Sequence, residues 1–400
     1  MSSQNKYEWG EGVYTLLSWF KKERVKEARI LVAGAGALGN EVVKNLALFG
    51  VGHIYVVDFD KIEISNLTRS VLFREEDALN HRNKAEVVAA RAREINPQIE
   101  VIPIVGNLFS DVGFGLYNAV DVIIGCLDSR IARYQLNRMA MRSGKTWIDG
   151  SIENLTGVVR VFTPGVSCYE CSLSRDEFNQ IMLRTGCADV MRMQGSAGRV
   201  ATTPISASIV GAVQVQEAMK ILHADDNQPS SFKSLEGKMW RYDGMTAASS
   251  IFRFASWKKT CPAHERWTPV VSCQGLSALD SLESALRKIK ECLGVNALEI
   301  NMRNNRFIDR IISDNPERVF DVRIPESRLE AYIQENAEVR KLSYKTLFHK
   351  DFIENLDESF PYPAMTLKEI GIPICDVLQV STDRGVFYVE LSADADSYRS

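Results

Sequence analysis

Short apolar runs alternate with amphipathic stretches along the first part of the chain. The apolar runs predict buried strands at residues 29–33, 53–58, 100–105 and 121–126. The stretches between them place apolar residues at helical spacing and predict helices at residues 40–49, 84–94 and 131–142. Strands that alternate with helices are typical of a parallel sheet with helices on both faces. This half of the chain therefore predicts an α/β fold with a Rossmann-like, doubly wound, mainly parallel sheet.

The pattern changes near Trp147. Further strands are predicted at residues 146–151, 157–164, 238–244 and 250–257, and helices at residues 174–184 and 204–222. We expect a large domain at residues 28–268, preceded by an N-terminal helical arm at residues 1–27. On that arm Val13, Leu16, Leu17 and Phe20 share one helix face.

A smaller C-terminal α+β domain is expected at residues 269–400. Its pattern predicts one helix at residues 282–293. Residues 365–394 then predict a short helix, a tight turn and two strands. The rest of this domain carries little signal.

Composition and charge describe an ordinary globular chain of 400 residues, with 45% hydrophobic residues and a net charge of −3. No apolar run approaches the roughly 20 residues of a membrane-spanning helix, and the opening MSSQNKYEWGEG lacks a secretion signal. We therefore expect a cytoplasmic protein without membrane contact.

The absence of a long basic tract argues against nucleic acid as a partner. Eight cysteines in such a chain suggest reduced thiols, metal ligands or a nucleophile more than a disulfide framework.

Three glycines, Gly34, Gly36 and Gly39, form a G-x-G-x-x-G motif between the first predicted strand and helix. The motif can bind a phosphate of NAD, FAD or ATP at the start of the helix, or it can simply let helix and sheet pack closely. Asp58 ends the second strand about 20 residues later, where a carboxylate can bind a ribose hydroxyl. This context predicts a nucleotide site.

Polar side chains also follow the ends of neighbouring predicted strands. Asp60, Asn66 and Arg69 lie just beyond the second strand. Lys84 begins the next helix, and Asp128 follows the fourth strand. Ligands in this fold bind at the carboxyl edge of the sheet, and a reacting triphosphate needs cations and an acid that holds magnesium. The set therefore favours ATP with Mg²⁺, although each residue could instead be a solvated charge or a helix cap.

Two pairs of soft ligands, Cys168 with Cys171 and Cys261 with His264, each follow a predicted strand. Three thiolates and one imidazole are typical of tetrahedral zinc, and four protein ligands would make the metal structural. A redox Cys-x-x-Cys motif and unrelated buried thiols are the alternatives. Another four cysteines are expected to be small core residues. These are Cys126, Cys273, Cys292 and Cys375.

Four segments together resemble a known enzyme family: GAGALGN at residues 34–40, the run from Asp58 to Arg69, Lys84 with its following alanine, and CLD at residues 126–128. They are similar to the adenylation domain of ubiquitin-activating enzymes and their bacterial ThiF-type relatives, which activate sulfur carriers for thiamine and molybdopterin synthesis. The resemblance covers about residues 28–265. It implies an ATP site that adenylates the C-terminal glycine of a ubiquitin-like or sulfur-carrier protein.

The resemblance also implies a role for each residue of the site. Asp58 would bind the ribose, and Asp128 would bind magnesium. The phosphates would be bound by Asn66, Arg69 and Lys84. Relatives carry a structural zinc at the first cysteine pair and a later pair, usually with four cysteines, so the histidine would be a variation in the fourth place.

In members of this family that form a thioester, a cysteine in or near a glycine-rich crossover loop attacks the acyl adenylate. Cys187 lies in such a stretch and is expected to be this nucleophile, unless it is an incidental loop cysteine. Arg184, Arg192 and Arg199 could favour its thiolate.

Relatives also suggest partners. The helix at residues 204–222 resembles one that builds a twofold dimer, so we expect a homodimer, with a core helix as the alternative. The segment at residues 365–391 faintly resembles a ubiquitin-like fold that binds a conjugating enzyme, and a stabilising appendage is the alternative. Many relatives carry an N-terminal arginine motif that this chain lacks. Either Lys21, Lys22 or Arg24 replaces it, or the contact is absent.

The sequence thus predicts activation of a ubiquitin-like protein by adenylation and thioester formation, followed by transfer to a conjugating enzyme. One alternative passes the acyl group to a sulfur donor and forms a thiocarboxylate. A non-catalytic scaffold subunit of a heterodimer is another, favoured by the missing arginine motif and opposed by the complete phosphate-binding set. If the chain were a nicotinamide oxidoreductase, Asn66, Arg69, Lys84 and Asp128 would have no role.

Overall fold

The computed structural model describes residues 9–185, 202–224, 232–254, 257–302, 305–314, 317–343 and 348–394. The chain folds into two compact units. One comprises residues 1–108 and 117–266, and the other comprises residues 109–116 and 267–400. Residues 109–116 therefore belong to the C-terminal unit although they lie early in the sequence. The predicted division into an arm at residues 1–27, a large domain at residues 28–268 and a C-terminal domain at residues 269–400 stays a prediction.

An eight-stranded sheet forms the centre of the first unit. Its strands are β1 (Arg29–Ala33), β2 (His53–Val57), β3 (Glu100–Ile104), β4 (Val122–Gly125), β5 (Thr146–Glu153), β6 (Thr156–Phe162), β7 (Lys238–Asp243) and β8 (Ala248–Arg253). In the order β3-β2-β1-β4-β5-β6-β7-β8, the first five are parallel and the last three pair antiparallel. The predicted Rossmann-like sheet is confirmed.

Helices precede and connect these strands along the sequence. They are α1 (Lys22–Glu27), α2 (Ala37–Phe49), α3 (Glu75–Leu79), α4 (Lys84–Ile95), α5 (Phe114–Ala119), α6 (Arg130–Ser143), α7 (Tyr169–Ser172), α8 (Arg175–Thr185) and α9 (Pro204–Leu222), and the first three residues of α5 belong to the second unit. All four residues of β4 are buried, as expected of a parallel strand covered on both faces. Among the described residues, no helix is both long and apolar enough to cross a bilayer.

The helix α9 is part of the core of the first unit. Thr203 caps its start, because the Thr203 hydroxyl accepts a hydrogen bond from the Ser206 amide at 3.1 Å. Gly211 permits close contact with α2, since a Cβ at this position would lie 2.9 Å from the Cβ of Glu41. The small residues of α9 therefore serve packing within the chain. A homodimer built through this helix stays a prediction.

The described part of the N-terminal arm, residues 9–27, is helical only in part. A single 3-10 turn at Tyr14–Leu16 precedes α1, and Leu16, predicted to share a helix face with its neighbours, is 83% exposed. Aromatic side chains hold this part of the chain instead. The indole of Trp9 and the hydroxyl of Tyr14 both donate to the carbonyl oxygen of Leu48, at 2.8 and 2.7 Å. They thereby satisfy a carbonyl at the C-terminal end of α2.

The neutral ring of His223 connects the arm to α9. Its Nε2 accepts a hydrogen bond from the Lys21 amide at 2.9 Å, and its Nδ1 donates to the Met219 carbonyl at 2.7 Å. Burial lowers the pKa of His223, and the cations of Arg24 and Lys21 lower it further. Because the folded pKa lies below the unfolded value of 6.5, this ring contributes stability above that pH. The contribution is lost as the pH falls through the folded pKa.

We expect His223→Gln to reduce the acid sensitivity of the chain, because glutamine cannot take up the proton that destabilises the wild-type contact. Thermal unfolding should be followed between about pH 8 and about pH 5, a range that spans the pKa of an unperturbed histidine. The melting temperature of the wild type should fall more steeply below about pH 6.5 than that of the variant. The exposed His349 provides a control, and His349→Gln should follow the wild-type curve. Parallel curves for all three proteins would contradict the prediction.

The second unit contains two sheets. The strands of the larger sheet are β9 (Val270–Cys273), β10 (Leu298–Asn301), β14 (Asn355–Leu356), β15 (Val377–Thr382) and β16 (Gly385–Leu391), in the order β14-β10-β15-β16-β9. The smaller sheet has the order β12-β11-β13, with β11 (Phe307–Asp314), β12 (Glu317–Pro325) and β13 (Phe348–Ile353). The helices are α10 (Leu282–Leu293), α11 (Leu329–Glu335), α12 (Ala337–Ser343) and α13 (Leu367–Ile370).

This unit confirms the predicted α+β class. It contains the predicted α10 and the predicted helix, turn and two strands, now α13, β15 and β16. The likeness to a ubiquitin-like fold stays a prediction. The smaller sheet and the helices α11 and α12 were not predicted, because their sequence showed no clear periodicity.

Residues 109–116 are built into the second unit. The amide of Gly115 donates to the carbonyl oxygen of Cys375 at 2.8 Å. Gly113 approaches the backbone so closely that a Cβ there would lie 2.2 Å from the carbonyl oxygen of Ile374. Two glycines thus let a segment from between β3 and β4 lie against backbone that is far away in sequence.

A disulfide joins Cys273 of β9 to Cys292 of α10. The expectation that both are reduced thiols is therefore wrong. Cys273 is a core residue as predicted, whereas Cys292 is exposed and lies outside the core. The two cysteines are separated by 19 residues, and folding brings their Cα atoms to 5.8 Å, within the range that a disulfide spans. Cys126 and Cys375 are not part of a disulfide, and Cys375 is buried as predicted.

Candidate functional site

The glycine turn joins β1 to α2 at the carboxyl edge of the parallel strands. Gly34 has a φ of +99°, and a Cβ at this position would lie 2.6 Å from the carbonyl oxygen of Cys126. A Cβ at Gly39 would lie 2.0 Å from the carbonyl oxygen of Gly34. Gly36 differs, because its Cβ would meet no atom within 4 Å. The fold therefore requires Gly34 and Gly39, whereas Gly36 faces open space from which a phosphate could approach the start of α2.

Asp58 follows β2 and is fixed beside the glycine turn. Its Oδ2 accepts a hydrogen bond from the Ala35 amide at 2.7 Å, and its Oδ1 accepts one from the Asp60 amide at 2.8 Å. Burial raises the pKa of Asp58, while the Lys84 cation and the two amides oppose the rise. An ionised carboxylate has about four lone-pair sites, so Asp58 can still accept a hydrogen bond from a ligand hydroxyl.

Lys84 occupies the first position of α4, where it pairs with Asp60. The ammonium nitrogen lies 2.7 Å from Oδ2 of Asp60, and the Lys84 amide donates to the Asp60 carbonyl at 3.0 Å. Only 12% of the lysine side chain is exposed. The structure thus brings Asp58, Asp60 and Lys84 together at one edge of the sheet. A cation at the N-terminal end of a helix is a favourable environment for an anionic ligand.

Asn66 and Arg69 lie in a turn beyond β2. The Oδ1 of Asn66 accepts a hydrogen bond from the Glu63 amide at 3.0 Å and so stabilises the turn. The guanidinium of Arg69 donates to the Ser65 carbonyl at 2.8 Å and pairs with no carboxylate of the described residues. Neither side chain is hydrogen-bonded to the lysine–aspartate pair in the described part of the chain. An arginine without a carboxylate partner retains donors that can bind phosphate.

Asp128 follows β4 at the same edge of the sheet and is exposed. Within the described ranges its carboxylate makes no hydrogen bond or ion pair, although its charge acts on the guanidinium of Arg133. Magnesium sites in proteins use one or two carboxylates together with water and substrate phosphates. The donor chemistry of Asp128 therefore fits the predicted magnesium ligand, and this role stays a prediction.

A buried charge network beneath the strand ends was missed by the sequence analysis. Asp149 is fully buried and accepts hydrogen bonds from Nε of Arg133 at 2.7 Å and from Nε of Arg160 at 3.0 Å. Burial alone would raise the pKa of Asp149, but the two guanidinium groups lower it. Arg133 also donates to the carbonyl of Leu127, which directly precedes Asp128. The only signal in the sequence was a charged residue within the strand predicted at residues 146–151.

Asn40 was also missed as a site residue. It is fully buried on α2, and its Nδ2 donates to the carbonyls of Ala35 and Gly36, both at 2.9 Å. Its Oδ1 accepts a hydrogen bond from the Leu72 amide at 2.9 Å. The sequence shows only a polar residue directly after Gly39, so its three partners could not be foreseen.

The second candidate site is a cluster of three cysteines and one histidine. One donor atom from each of Cys168, Cys171, Cys261 and His264 lies within 4.8 Å of every other. Sγ of Cys171 is 3.4 Å from Nε2 of His264. Bonds of about 2.3 Å to sulfur and about 2.0 Å to nitrogen in a tetrahedron separate the ligand atoms by about 3.5 Å. The spacing therefore fits a zinc ion.

The surroundings of the cluster fit a structural metal better than a redox pair. Burial raises the pKa of Cys168 to about 11, so without a nearby cation this thiol stays protonated. The amide of Asn137 donates to the Cys168 sulfur at 3.2 Å. The ring of His264 stacks on Trp257, and its Nδ1 is buried without a hydrogen-bond partner among the described residues. The donor atoms of all four residues lie within 4.8 Å of one another, whereas a redox pair would need only two cysteines.

Cys187, Arg192 and Arg199 lie outside the described residues, as does the side chain of Arg184. The thioester role predicted for Cys187 therefore stays a prediction. The replacement of the missing N-terminal arginine motif by Lys21, Lys22 or Arg24 also stays a prediction. Among the candidates for that role, the guanidinium of Arg24 donates to the carbonyl of Leu222 at 3.4 Å.

Comparison with known proteins gives a consistent result. Residues 14–263 match the family described as the ThiF family. The molybdopterin-synthase adenylyltransferase of Salmonella typhimurium is 34% identical over 227 residues, which cover 56% of this chain and 82% of that protein. The sulfur carrier protein adenylyltransferase of Thermus thermophilus is 30% identical over 233 residues, which cover 57% of this chain and 79% of that protein.

A third relative is matched over a smaller share of its length. The SUMO-activating enzyme subunit uba-2 of Caenorhabditis elegans is 36% identical over 157 residues, which cover 38% of this chain. The chain spans only 27% of the length of that relative.

Proposed function

Since the chain belongs to the ThiF family, we propose that it uses ATP to adenylate the C-terminal carboxylate of a small carrier protein. One observation carries the proposal. The ammonium of Lys84 is held by Asp60 beside a glycine turn in which Gly36 faces open space. This places a shielded positive charge and the start of a helix on the same side as the carboxylate of Asp58, as a nucleotide with several phosphates requires.

In the proposed reaction, a carboxylate oxygen of the carrier attacks the α-phosphorus of ATP, and pyrophosphate leaves. Lys84 and Arg69 would compensate the negative charge of the phosphates, and Asp58 would orient the ribose. Asp128 would hold Mg²⁺, which supplies further positive charge when bound. The chain would accelerate this step by positioning and charge compensation, with no covalent bond to the protein.

Two relatives that are matched over most of their length favour a sulfur carrier as the substrate. They are named adenylyltransferases of molybdopterin synthase and of a sulfur carrier protein, and the chain covers 82% and 79% of their lengths. We therefore propose a sulfur-carrier or similar ubiquitin-like protein, whose acyl adenylate is later converted to a thiocarboxylate. Thioester formation on Cys187 before transfer to a conjugating enzyme is the second candidate. The 36% identity to a SUMO-activating subunit favours it.

The proposed function is tested by ATP–pyrophosphate exchange with candidate carriers that end in Gly-Gly. We expect exchange that depends on the carrier and on Mg²⁺, and that is lost when the last glycine of the carrier is deleted. A nicotinamide oxidoreductase would instead change the absorbance of NAD and show no exchange. Absence of exchange with every carrier, in a chain that binds no ATP, would refute adenylation.

The two candidate products are separated by Cys187→Ala. If Cys187 forms a thioester, non-reducing gels of the wild type with ATP and carrier should show an adduct that dithiothreitol removes. The variant should lose this adduct and retain pyrophosphate exchange. A thiocarboxylate pathway predicts equal behaviour of both proteins, and a thiol-sensitive adduct that persists in the variant would remove Cys187 from the mechanism.

Two glycines of the turn offer a matched pair of substitutions. We expect Gly39→Ala to destabilise the fold by about 1–3 kcal/mol, because the new methyl group would overlap the carbonyl of Gly34. Gly36→Ala should leave the melting temperature nearly unchanged and weaken ATP binding, because its methyl group would occupy the open space in front of the turn. Thermal unfolding and calorimetric titration with ATP measure both effects. Unchanged ATP affinity of Gly36→Ala would place the phosphates elsewhere.

A further inference from the structure

Asn40 connects two segments that the proposed function assigns to the nucleotide. We propose that Asn40 is a positioning residue, which aims the amides of the glycine turn at the phosphates and fixes the segment that carries Arg69. This inference rests on the proposed function, because it concerns the same ATP site. It assigns a role to a side chain that would itself remain buried beneath the ligand.

The contacts of Asn40 with the glycine turn determine where the backbone amides point. Its Nδ2 holds the carbonyl oxygens of Ala35 and Gly36 towards the protein interior, each at 2.9 Å. In a trans peptide the carbonyl and the following N–H point in opposite directions. The amides of Gly36 and Ala37 must therefore point away from Asn40. They are among the first amides of α2, which have no partner within the helix.

The same turn is held from its other side by Asp58. The amide of Ala35 donates to Oδ2 of Asp58 at 2.7 Å, while the carbonyl of Ala35 is held by Asn40. Among the described residues, the amide of Gly36 makes no hydrogen bond. Because a Cβ at Gly36 would meet only open space, this amide is free to donate to a phosphate oxygen.

The remaining contact of Asn40 reaches the segment beyond β2. Its Oδ1 accepts a hydrogen bond from the Leu72 amide at 2.9 Å. Leu72 is 5% exposed and lies outside any helix or strand, so its amide depends on this side chain. Arg69 lies only three residues before Leu72. One buried side chain therefore fixes both the amides of the glycine turn and the base of the Arg69 turn.

Only a carboxamide suits this position. The Ala35 carbonyl requires a donor and the Leu72 amide requires an acceptor, and asparagine supplies both from one short side chain. Aspartate would keep the acceptor but face two carbonyl oxygens with a negative charge. Leucine would fill the volume and leave the Ala35 carbonyl and the Leu72 amide unsatisfied, whereas the Gly36 carbonyl would keep the hydrogen bond from the backbone amide of residue 40 at 2.9 Å. Because Asn40 is fully buried, water does not replace its hydrogen bonds.

Asn96 provides a matched control at the other end of α2. It is also fully buried, and its Nδ2 donates to the Ala47 carbonyl at 3.1 Å while its Oδ1 accepts from the Gln98 amide at 3.0 Å. Ala47 is seven residues beyond Asn40, which is about 10 Å along a helix. Asn96→Ala should therefore cost stability without disturbing the glycine turn.

The test compares Asn40→Ala, Asn40→Leu and Asn96→Ala with the wild type, using ATP as the probe. We expect both Asn40 variants to raise the Kd for ATP and the KM for ATP in pyrophosphate exchange about ten- to a hundredfold, the effect of one to two lost hydrogen bonds. The KM for the carrier should change by less. Asn96→Ala should bind ATP within about twofold of the wild type at a comparable loss of melting temperature. That contrast separates positioning from plain stabilisation.

Two results would overturn the inference. If the Asn40 variants lose stability but bind ATP as the wild type does, Asn40 serves the fold alone. Hydrogen exchange of the wild type gives a measurement that needs no variant, and rapid exchange of the Leu72 amide would show that the contact does not exist. A wild type that binds no ATP would refute the proposed function as well. Normal ATP binding by both the wild type and the Asn40 variants would refute only the role of Asn40.

Discussion

Lys84→Ala should lower carrier-dependent ATP–pyrophosphate exchange by about 100- to 1,000-fold, the loss typical when one charge-stabilising group is removed from an active site. The effect is expected to be large because the Lys84 side chain is only 12% exposed and lies at the N-terminal end of α4. Without it, the carboxylate of Asp60 would remain uncompensated beside the glycine turn and would repel the phosphates. Exchange at saturating carrier, measured over a range of ATP concentrations, determines both kcat and KM.

Lys220 allows a matched control for this prediction. Its side chain is 17% exposed and its ammonium lies 2.7 Å from Glu217, but it belongs to the last turn of α9. Lys220→Ala should leave exchange within about twofold of the wild type, because additivity holds for distant sites. Lys84→Arg should retain part of the activity, since it keeps the charge but not the compact ammonium. Full exchange by a folded Lys84→Ala protein would exclude this lysine from phosphate binding.

Loss of the proposed zinc ion should be the largest effect on stability. We expect one zinc per chain by elemental analysis of the purified protein. Cys171→Ser should abolish binding and lower the free energy of unfolding by about 3–5 kcal/mol, with a fall in melting temperature of about 10 °C. The reason is that four donor atoms lie within 4.8 Å of one another, two of them on the buried Cys168 and Cys171, and an ion that binds only the folded chain stabilises the fold. A strong chelator should reproduce the effect in the wild type.

Cys375 is the matched control for the metal site. It is a buried cysteine of the second unit that forms no disulfide, and its thiol donates to the carbonyl of Asp394 at 3.1 Å. Cys375→Ser should retain one zinc per chain, whatever its own cost in stability. Zinc at equal content in Cys171→Ser and the wild type, or its absence from both, would refute the assignment of the cluster.

The sheet of the first unit was predictable because its signal is local. The run DVIIGC predicted β4, and all four residues of that strand are buried. Burial on both faces requires an unbroken apolar run, which can be recognised without knowing its neighbours. The glycine motif and Asp58 were predictable for a similar reason, since a strand, a turn and a helix that follow each other directly constrain which residues can occupy the turn.

The C-terminal unit was predicted less well because its contacts are not local. The strand β9 precedes α10 directly in sequence, yet it pairs with β16 more than 100 residues later. The segment at residues 109–116 joins this unit from the middle of the first half of the chain. No periodicity in a short window reports such pairings, because a window contains only one of the two partners.

In the candidate sites, too, some features follow from the sequence and others only from the tertiary structure. The types and spacing of Lys84, Asp128 and the two cysteine-containing pairs follow from the sequence, because ligand chemistry depends on which atoms a side chain carries. The structure decided the partners: Asp60 for Lys84, Cys292 for Cys273, and the three backbone groups held by Asn40. A sequence records burial and side-chain chemistry residue by residue, whereas hydrogen bonds, ion pairs and disulfides depend on distances that arise only when remote segments pack together.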